Sequence, residues 1–209
     1  AIFDRYPQEL SGGQQQRAAI AMALAGEPEA LLLDEPTTGL DVTTQAHILE
    51  LLRELAAETG MAMVYVSHDL GAIARVCDRV MVMYAGEIVL EGDTWQVLIN
   101  PIHPYAYGLL ASIPKLSNTN LPDALGGRPP APGDAGEGCA FVDRCALASD
   151  ICRSEHPRLE QAPDGEQVRC FHYGDIAKMR SKKRSSCLPS KITVDAPQDV
   201  IIELDALSI

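Results

Sequence analysis

The sequence lacks any run of about 18 apolar residues, so we expect none of its 209 residues to cross a membrane. It is also short of positive charge, because 17 Lys and Arg stand against 29 Asp and Glu, for a net charge of −12. That balance argues against nucleic-acid binding, which favours a basic surface. With 46% hydrophobic and 22% charged residues, wholesale disorder is excluded as well.

Two features normally found at a chain start are missing. The first residue is Ala1 rather than Met, and no charged segment with an apolar segment behind it marks a signal peptide. We interpret the chain as a fragment that lacks its N-terminal part.

Composition divides the chain into four segments. Residues 1–112 alternate predicted strands and helices, which is typical of an α/β fold with a parallel sheet. Residues 113–175 hold a Pro- and Gly-rich stretch and four of the six cysteines, and predict a small irregular extension. Residues 176–199 are basic, then polar, as in a flexible linker. Residues 200–209 turn apolar and predict the first strand of a second domain, or a tail that packs back on the first.

Apolar periodicity and turn residues predict the elements of the first segment. They are a helix over 15–26, a buried strand over 30–33, an amphipathic helix over Val42–Thr59, a second buried strand over 61–67, a helix that includes 72–76, and a hairpin of Arg79–Tyr84 with 87–91.

Four short motifs carry candidate chemistry in this segment. Leu10-Ser11-Gly12-Gly13-Gln14 precedes a helix, where glycines and free N–H groups can hold phosphate, although Ser-Gly-Gly is also a common turn. Asp34-Glu35 ends a predicted parallel strand, where α/β folds place their ligands.

The chemistry of these side chains leaves alternatives open. Asp34 can hold Mg²⁺ and Glu35 can polarise water, or the pair can simply cap a helix. Asp41 can be only the N-cap of the long helix that follows it. His68, in Ser67-His68-Asp69 after the second strand, can contact a terminal phosphate or be structural.

In this order and spacing the motifs resemble those of ATP-binding-cassette (ABC) ATPases. Residues 10–14 are similar to the signature, 31–35 to the Walker B strand, 39–41 to the D-loop and His68 to the switch histidine. The resemblance implies a P-loop NTPase-like α/β cassette, of which this chain carries the C-terminal portion, a parallel sheet with flanking helices. It implies that Asp34 coordinates Mg²⁺, Glu35 is the catalytic base, His68 senses the γ-phosphate and Asp41 acts across a dimer interface. The resemblance also implies that nucleotide held by a partner cassette is bound by Ser11, Gly12, Gly13 and Gln14.

One part of the family pattern is absent from these residues. No Gly-x-x-x-x-Gly-Lys-Ser/Thr motif occurs, and neither does the glutamine loop that follows it in the family. We expect both to lie upstream of Ala1. The chain alone is therefore predicted not to hydrolyse ATP, whereas the intact parent would.

Four cysteines cluster in the second segment, with five, six and seventeen residues between them. Because disulfides are unlikely in a cytosolic ABC protein, such a group in a segment with little core suggests a metal staple. The spacing matches neither Cys-x₂-Cys zinc sites nor ferredoxins, so zinc, iron–sulfur and free thiols all remain open. The residues are Cys139, Cys145, Cys152 and Cys170.

The surrounding residues resemble the C-terminal extension of oligopeptide and dipeptide import ATPases. That similarity runs from about residue 1 to 175 and rests on Gly138 to Cys145, Pro157-Arg158-Leu159, Val168-Arg169-Cys170, Tyr84-Ala85-Gly86-Glu87 and His103-Pro104-Tyr105-Ala106-Tyr107-Gly108-Leu109-Leu110. The family often has proline where Ala140 and Asp143 stand here. In that family the extension is associated with a 4Fe–4S cluster, which implies iron–sulfur rather than Zn²⁺ at the four cysteines.

The resemblance also implies partners and a location. The partners are a second ABC cassette, two transmembrane permease subunits and, indirectly, an extracytoplasmic peptide-binding protein. The second cassette would lie on the same parent chain if one begins at residue 200. The chain itself would lie at the cytoplasmic face of the bacterial inner membrane. The cargo would be short peptides, or nickel as in some members. Two alternatives are a soluble ABC ATPase that acts on ribosomes or DNA, and a degenerate metal-binding or docking module.

Overall fold

A computed structural model describes residues 4–113, 125–131 and 136–176. The predicted linker and apolar tail, Cys187 and most of the Pro- and Gly-rich stretch lie outside these residues. In chain order the elements are α1 (Gly12–Leu24), β1 (Ala30–Asp34), α2 (Val42–Thr59), β2 (Ala62–Val66), α3 (Leu70–Val76), β3 (Arg79–Tyr84), β4 (Glu87–Asp93), α4 (Thr94–Ile99), α5 (Pro104–Ala111), α6 (Asp150–Ser154), β5 (Glu160–Gln161) and β6 (Gln167–Val168), with one-turn 3-10 helices at Pro7–Glu9, Val142–Arg144 and Tyr173–Asp175.

Local capping sets the ends of the two long helices. α1 begins three residues earlier than predicted, because the Gln14 N–H donates to Ser11 Oγ and the Ser11 N–H donates to the Gln14 side chain. α2 has the predicted bounds, with Asp41 as its N-cap and Gly60 at φ 67° as its C-cap. In the part of the chain that the structure describes, no helix is both long and apolar enough to span a bilayer.

The first sheet contains β1 and β2, which are parallel and pair Leu32 with Val64. One face packs on α1 and α2 through a core of Ile20, Leu31, Leu33, Ile48, Leu52 and Met61. Leu32 on the opposite face is 77% exposed. The prediction of two fully buried strands is therefore wrong for the described residues, since helices cover only one face there.

The second sheet has the order β3-β4-β6-β5. Its hairpin matches the prediction, and Ala85 at φ 50° with Gly86 at φ 84° makes the two-residue turn. The cysteine-rich segment contributes the other two strands, since Leu90 of β4 pairs with Val168 of β6. This pairing places the cysteines against the hairpin rather than in a separate irregular lobe.

A cluster of aromatic side chains packs the hairpin, α5 and the cysteine-rich segment against one another. Phe141 packs edge-on against Tyr84 and Tyr105, with ring centroids 5.2 and 5.5 Å away. The Arg144 guanidinium lies 5.7 Å from the centroid of the Tyr84 ring and donates to the Tyr84 hydroxyl. These contacts join residues 36 to 60 positions apart in the sequence.

Candidate functional site

Glu35 and His68 meet at the carboxyl edge of the parallel sheet. Glu35 directly follows β1, and His68 lies two residues beyond β2. The His68 Nδ1 atom is 2.7 Å from Glu35 Oε1, and the His68 backbone N–H donates to the same oxygen at 3.1 Å. The Thr38 hydroxyl donates to the other carboxylate oxygen at 2.8 Å. Two of the sequence-predicted residues thus form one hydrogen-bonded pair.

The backbone of Glu35 adopts an unusual conformation. Its φ of 47° lies in the left-handed region, which non-glycine residues seldom occupy. The Glu35 N–H donates to the Val66 carbonyl at 2.9 Å, so the end of β2 holds this conformation in place. Strained residues of this kind concentrate at functional sites.

The pair also shifts the ionisation of both groups. The hydrogen bond from His68, followed by that from Thr38, lowers the pKa of Glu35. The hydrogen bond to Glu35 raises the pKa of His68. Because the His68 side chain is 81% exposed, solvent screens this interaction, and its effect is mainly geometric. The lowered pKa favours the ionised form of Glu35, the state in which a carboxylate accepts a proton, and the hydrogen bonds fix its position.

The direct contact between these two side chains was not predicted. A signal for it existed, because the carboxyl ends of neighbouring parallel strands lie at the same sheet edge. Asp34 ends β1 opposite Val66, and its side chain is exposed. It is therefore accessible to a hydrated cation.

The glycines of the signature-like loop pack against the start of α2. A Cβ atom on Gly13 would lie 2.5 Å from Thr44 Cγ2, and one on Gly12 would lie 3.2 Å from Leu40 Cδ2. Close packing on Thr44 therefore favours glycine at position 13, independently of any ligand. Ser11 and Gln14 cap α1 in this structure, and both side chains are exposed.

Asp41 caps α2 through its Oδ1 atom, which accepts the Thr44 N–H at 2.9 Å. The hydrogen bonds from Thr44 lower the pKa of Asp41. The capping alternative is thus the one observed. A role across a dimer interface stays a prediction.

The four cysteines of the extension lie close together, and burial disfavours the ionised form of Cys139, Cys145 and Cys170. Burial raises the pKa of Cys145 to about 11 and that of Cys170 to about 12, and it also raises that of Cys139. Ionisation of Cys152 would disfavour ionisation of the other three. The His172 N–H donates to Cys170 Sγ at 3.3 Å.

These thiols do not form a metal centre in the residues described here. Within 4–113, 125–131 and 136–176, no three His, Cys, Asp or Glu side chains are gathered closely enough to hold a metal ion. The expectation of a formed iron–sulfur or zinc site at Cys139, Cys145, Cys152 and Cys170 is thus not supported. Burial instead raises the pKa of Cys139, Cys145 and Cys170, which favours their protonated form, and Cys170 Sγ accepts a backbone N–H. Cys77 is a half-buried free thiol at the C-cap of α3.

Comparison with known families gives two matches. Residues 1–38 match the ABC transporter family, and residues 91–152 match the C-terminal region of oligopeptide/dipeptide transporters. The second match covers α4, α5 and three of the four clustered cysteines.

Curated relatives extend the similarity over most of the chain. The dipeptide transport ATP-binding protein DppD of Escherichia coli is 45% identical over 176 residues, which cover 82% of this chain and 52% of that protein. DppF of Haemophilus influenzae, also a dipeptide transport ATP-binding protein, is 43% identical over 173 residues, or 82% and 53%. The oligopeptide transport ATP-binding protein AppD of Bacillus subtilis is 42% identical over 173 residues, with the same shares.

The chain spans about half the length of the curated relatives it matches. Among solved structures, a dimeric ATP-binding cassette bound to ADP and phosphate in a post-hydrolysis state is 41% identical. The match covers 43% of this chain and 38% of that one, with a TM-score of 0.40.

Proposed function

Its relatives place this chain with the ATP-binding components of oligopeptide and dipeptide ABC transporters, and on that premise we propose that it is part of the ATP-hydrolysing motor of a bacterial short-peptide importer. The observation that carries the proposal is the Glu35–His68 pair at the carboxyl edge of a parallel sheet. A held, ionised carboxylate beside a solvent-exposed imidazole suits attack of water on a phosphoryl group.

Each residue at this edge has a separate task in the proposed reaction. Glu35 takes the proton of the water that attacks the γ-phosphorus, and the bond to the β–γ bridging oxygen breaks to release ADP. His68, held by Glu35, faces the γ-phosphate. Asp34 would hold Mg²⁺, which neutralises phosphate charge when bound. A phosphate-binding loop from the longer protein completes the site, so this chain alone would not hydrolyse ATP.

The signature-like loop serves a second nucleotide in this proposal. Ser11, Gly12, Gly13 and Gln14 lie at the N-terminus of α1, where free N–H groups favour phosphate. They would contact ATP held by a second cassette, and Asp41 would face the same interface. The second cassette would lie on the same longer chain, beginning near residue 200. Two permease subunits and a peptide-binding protein would complete the importer, with this component at the cytoplasmic face of the membrane.

Glu35→Gln in the full-length protein tests the motor proposal. The variant keeps the shape of the side chain but cannot accept the proton, so hydrolysis should slow by at least ~10² while ATP binding persists. Phosphate release and nucleotide retention measure the two separately. Glu58→Gln, a change on the exposed C-terminal end of α2 away from the sheet edge, is the matched control. Near-normal turnover by Glu35→Gln would contradict the assignment.

We also propose that the four clustered cysteines hold a 4Fe–4S cluster that staples the extension. The chemistry of the donor set supports this proposal. The four thiols lie within the small folded segment 136–176, close enough to influence one another's ionisation, and thiols are soft ligands of the type that iron–sulfur clusters or zinc select. The side chains must ionise and converge to bind either one. When bound, the cluster would contribute a covalent cross-link among three chain segments, with no redox step required.

Anaerobic purification distinguishes the two metals. An iron–sulfur protein is brown and yields iron and acid-labile sulfide in equal amounts, whereas Zn²⁺ gives no colour. Cys152→Ser should remove the colour, whereas Cys77→Ser, which changes a cysteine outside the group, should retain it. A colourless protein with one zinc per chain would reject the iron–sulfur assignment, and a metal-free protein would reject both.

A further inference from the structure

The first turn of α2 is bonded to the loop that carries His68. The Gln45 amide donates from Nε2 to Asp69 Oδ2 at 2.6 Å, and the contact is partly buried. The other carboxylate oxygen of Asp69 accepts the N–H groups of Gly71 and Ala72 at 2.8 and 3.2 Å. Asp69 thus uses one oxygen to cap α3 and the other to bind α2.

The loop of residues 67–69 is consequently held from two sides. His68 is bonded to Glu35 through both its ring and its backbone N–H. Asp69, the next residue, is bonded to Gln45, and its own N–H donates to Ser67 Oγ at 3.0 Å. Without Gln45, the Asp69 side of the loop would keep its bonds to α3 but lose its link to α2.

The same helical turn also contacts the signature-like loop. Thr44 packs directly on Gly13, where an added Cβ atom would press on the Thr44 methyl group. The Gln45 N–H donates to the Asp41 carbonyl at 2.8 Å, the first helical bond of α2. Because an α-helical turn moves as a unit, a displacement at Gly13 or Asp41 reaches Asp69 through Gln45.

We propose that Gln45 is a positioning residue that couples the signature-like and D-loop segments to His68 through Asp69. This inference rests on the proposed ATPase function and assigns Gln45 no contact with nucleotide. Movement of the signature-like loop would be transmitted through the first turn of α2 and would shift the loop of residues 67–69 relative to Glu35. Loss of the amide should therefore slow the hydrolytic step and leave nucleotide affinity unchanged.

The first test compares Gln45→Leu with wild type in the full-length protein. Leu keeps most of the volume but removes the donor, so we expect kcat for ATP hydrolysis to fall about tenfold, with KM for ATP within about twofold. His47→Leu, on the exposed side of the same helix, is the matched control and should keep wild-type kcat. Turnover of Gln45→Leu within about twofold of wild type would overturn the proposal.

A second variant supplies a readout that a merely structural role would not move. Gln45→Glu places a carboxylate against Asp69, so the link breaks when both groups are ionised and returns when one proton bridges them. Its kcat relative to wild type should rise as the pH falls from about 8 to about 6, whereas the ratio for Gln45→Leu stays flat. A flat ratio for both variants would overturn the proposal. Hydrolysis by wild type without coupling to peptide transport would refute the importer and leave this comparison valid.

Discussion

The two sheets of this protein differ in how completely their strands are covered. In the β1–β2 unit, Leu32, Val64 and Val66 are 77%, 55% and 53% exposed, because α1 and α2 cover only the opposite face in the described residues. In the β3-β4-β6-β5 sheet, Leu90 and Val168 are almost completely buried. The Glu35–His68 pair lies on the less covered unit, where hydrogen bonds join the ends of β1 and β2.

The second region depends on contacts between segments that lie still farther apart in the sequence, such as Ile88 and Arg169. His103 is buried, accepts the Tyr105 N–H at 3.1 Å and is hydrogen-bonded to the backbone of Arg169. Arg169 in turn donates to the Ile88 carbonyl at 3.0 Å. The motif-bearing unit and the extension have separate hydrophobic clusters, which predicts that each region can be perturbed alone.

The sharpest way to separate the two regions is Phe141→Ala. Removing this buried ring from between Tyr84 and Tyr105 should lower the free energy of unfolding by about 3–5 kcal/mol. Hydrogen exchange should show lost protection in β4 and β6 and retained protection in β1 and β2. Phe171→Ala, which removes an exposed ring, is the control. Equal loss of protection in both sheets would show that the regions are one cooperative unit.

Acid should weaken the second region through His103. Burial lowers the pKa of His103 from 6.5 to about 4. Between these two pH values the imidazole is therefore protonated in the unfolded chain and neutral in the folded chain. The free energy of unfolding therefore falls as the pH drops from about 6.5 to about 4, by on the order of 3 kcal/mol from this group.

His103→Asn isolates this contribution, since Asn can still cap α5. The stability gap between wild type and variant, measured by urea unfolding, should shrink across that pH range. The buried carboxyl of Glu166, whose pKa burial raises, titrates in both proteins and cancels in the difference. A gap that does not change with pH would contradict the buried, neutral His103.

Gly138 tests how rigidly the cysteine-rich segment is packed. A Cβ atom there would lie 2.5 Å from the Cys152 carbonyl oxygen and 2.6 Å from that of Arg153. Because both obstacles are backbone atoms, Gly138→Ala should cost about 2–3 kcal/mol in thermal or urea unfolding. Gly136→Ala, where nothing lies within 4 Å, should be nearly neutral. Equal stabilities of the two variants would show that the segment adjusts freely.

A matched glycine substitution in the first region should cause a smaller loss of stability, which a second substitution should relieve. Gly13→Ala meets only the Thr44 side chain, so we expect a loss of about 1–2 kcal/mol. Thr44→Ser removes the obstructing methyl group, and in that background Gly13→Ala should cost less than about 0.5 kcal/mol. The double-mutant cycle measures this coupling. Additive effects would mean that Gly13 and Thr44 are not in contact.

Strand-end motifs predicted Asp34, Glu35 and His68 as site residues without any knowledge of distances. The pairing of Glu35 with His68 was not predicted, although parallel neighbouring strands provide the signal. The link from Gln45 to Asp69 had no signal in the sequence, since it joins the first turn of a helix to a loop 24 positions away. Residue types can identify candidate chemistry, but a contact also requires the relative placement of two elements.

The sequence by itself determined the features that arise from neighbouring residues. The bounds of α2 follow from the Asp41 cap and Gly60, and the β3–β4 hairpin follows from its two-residue turn. Only the tertiary structure decided that Leu32 is exposed, that β6 joins β4 and that His103 is buried and neutral. Caps and turns form within a few residues, whereas burial, strand pairing and pKa shifts depend on which distant segments pack together.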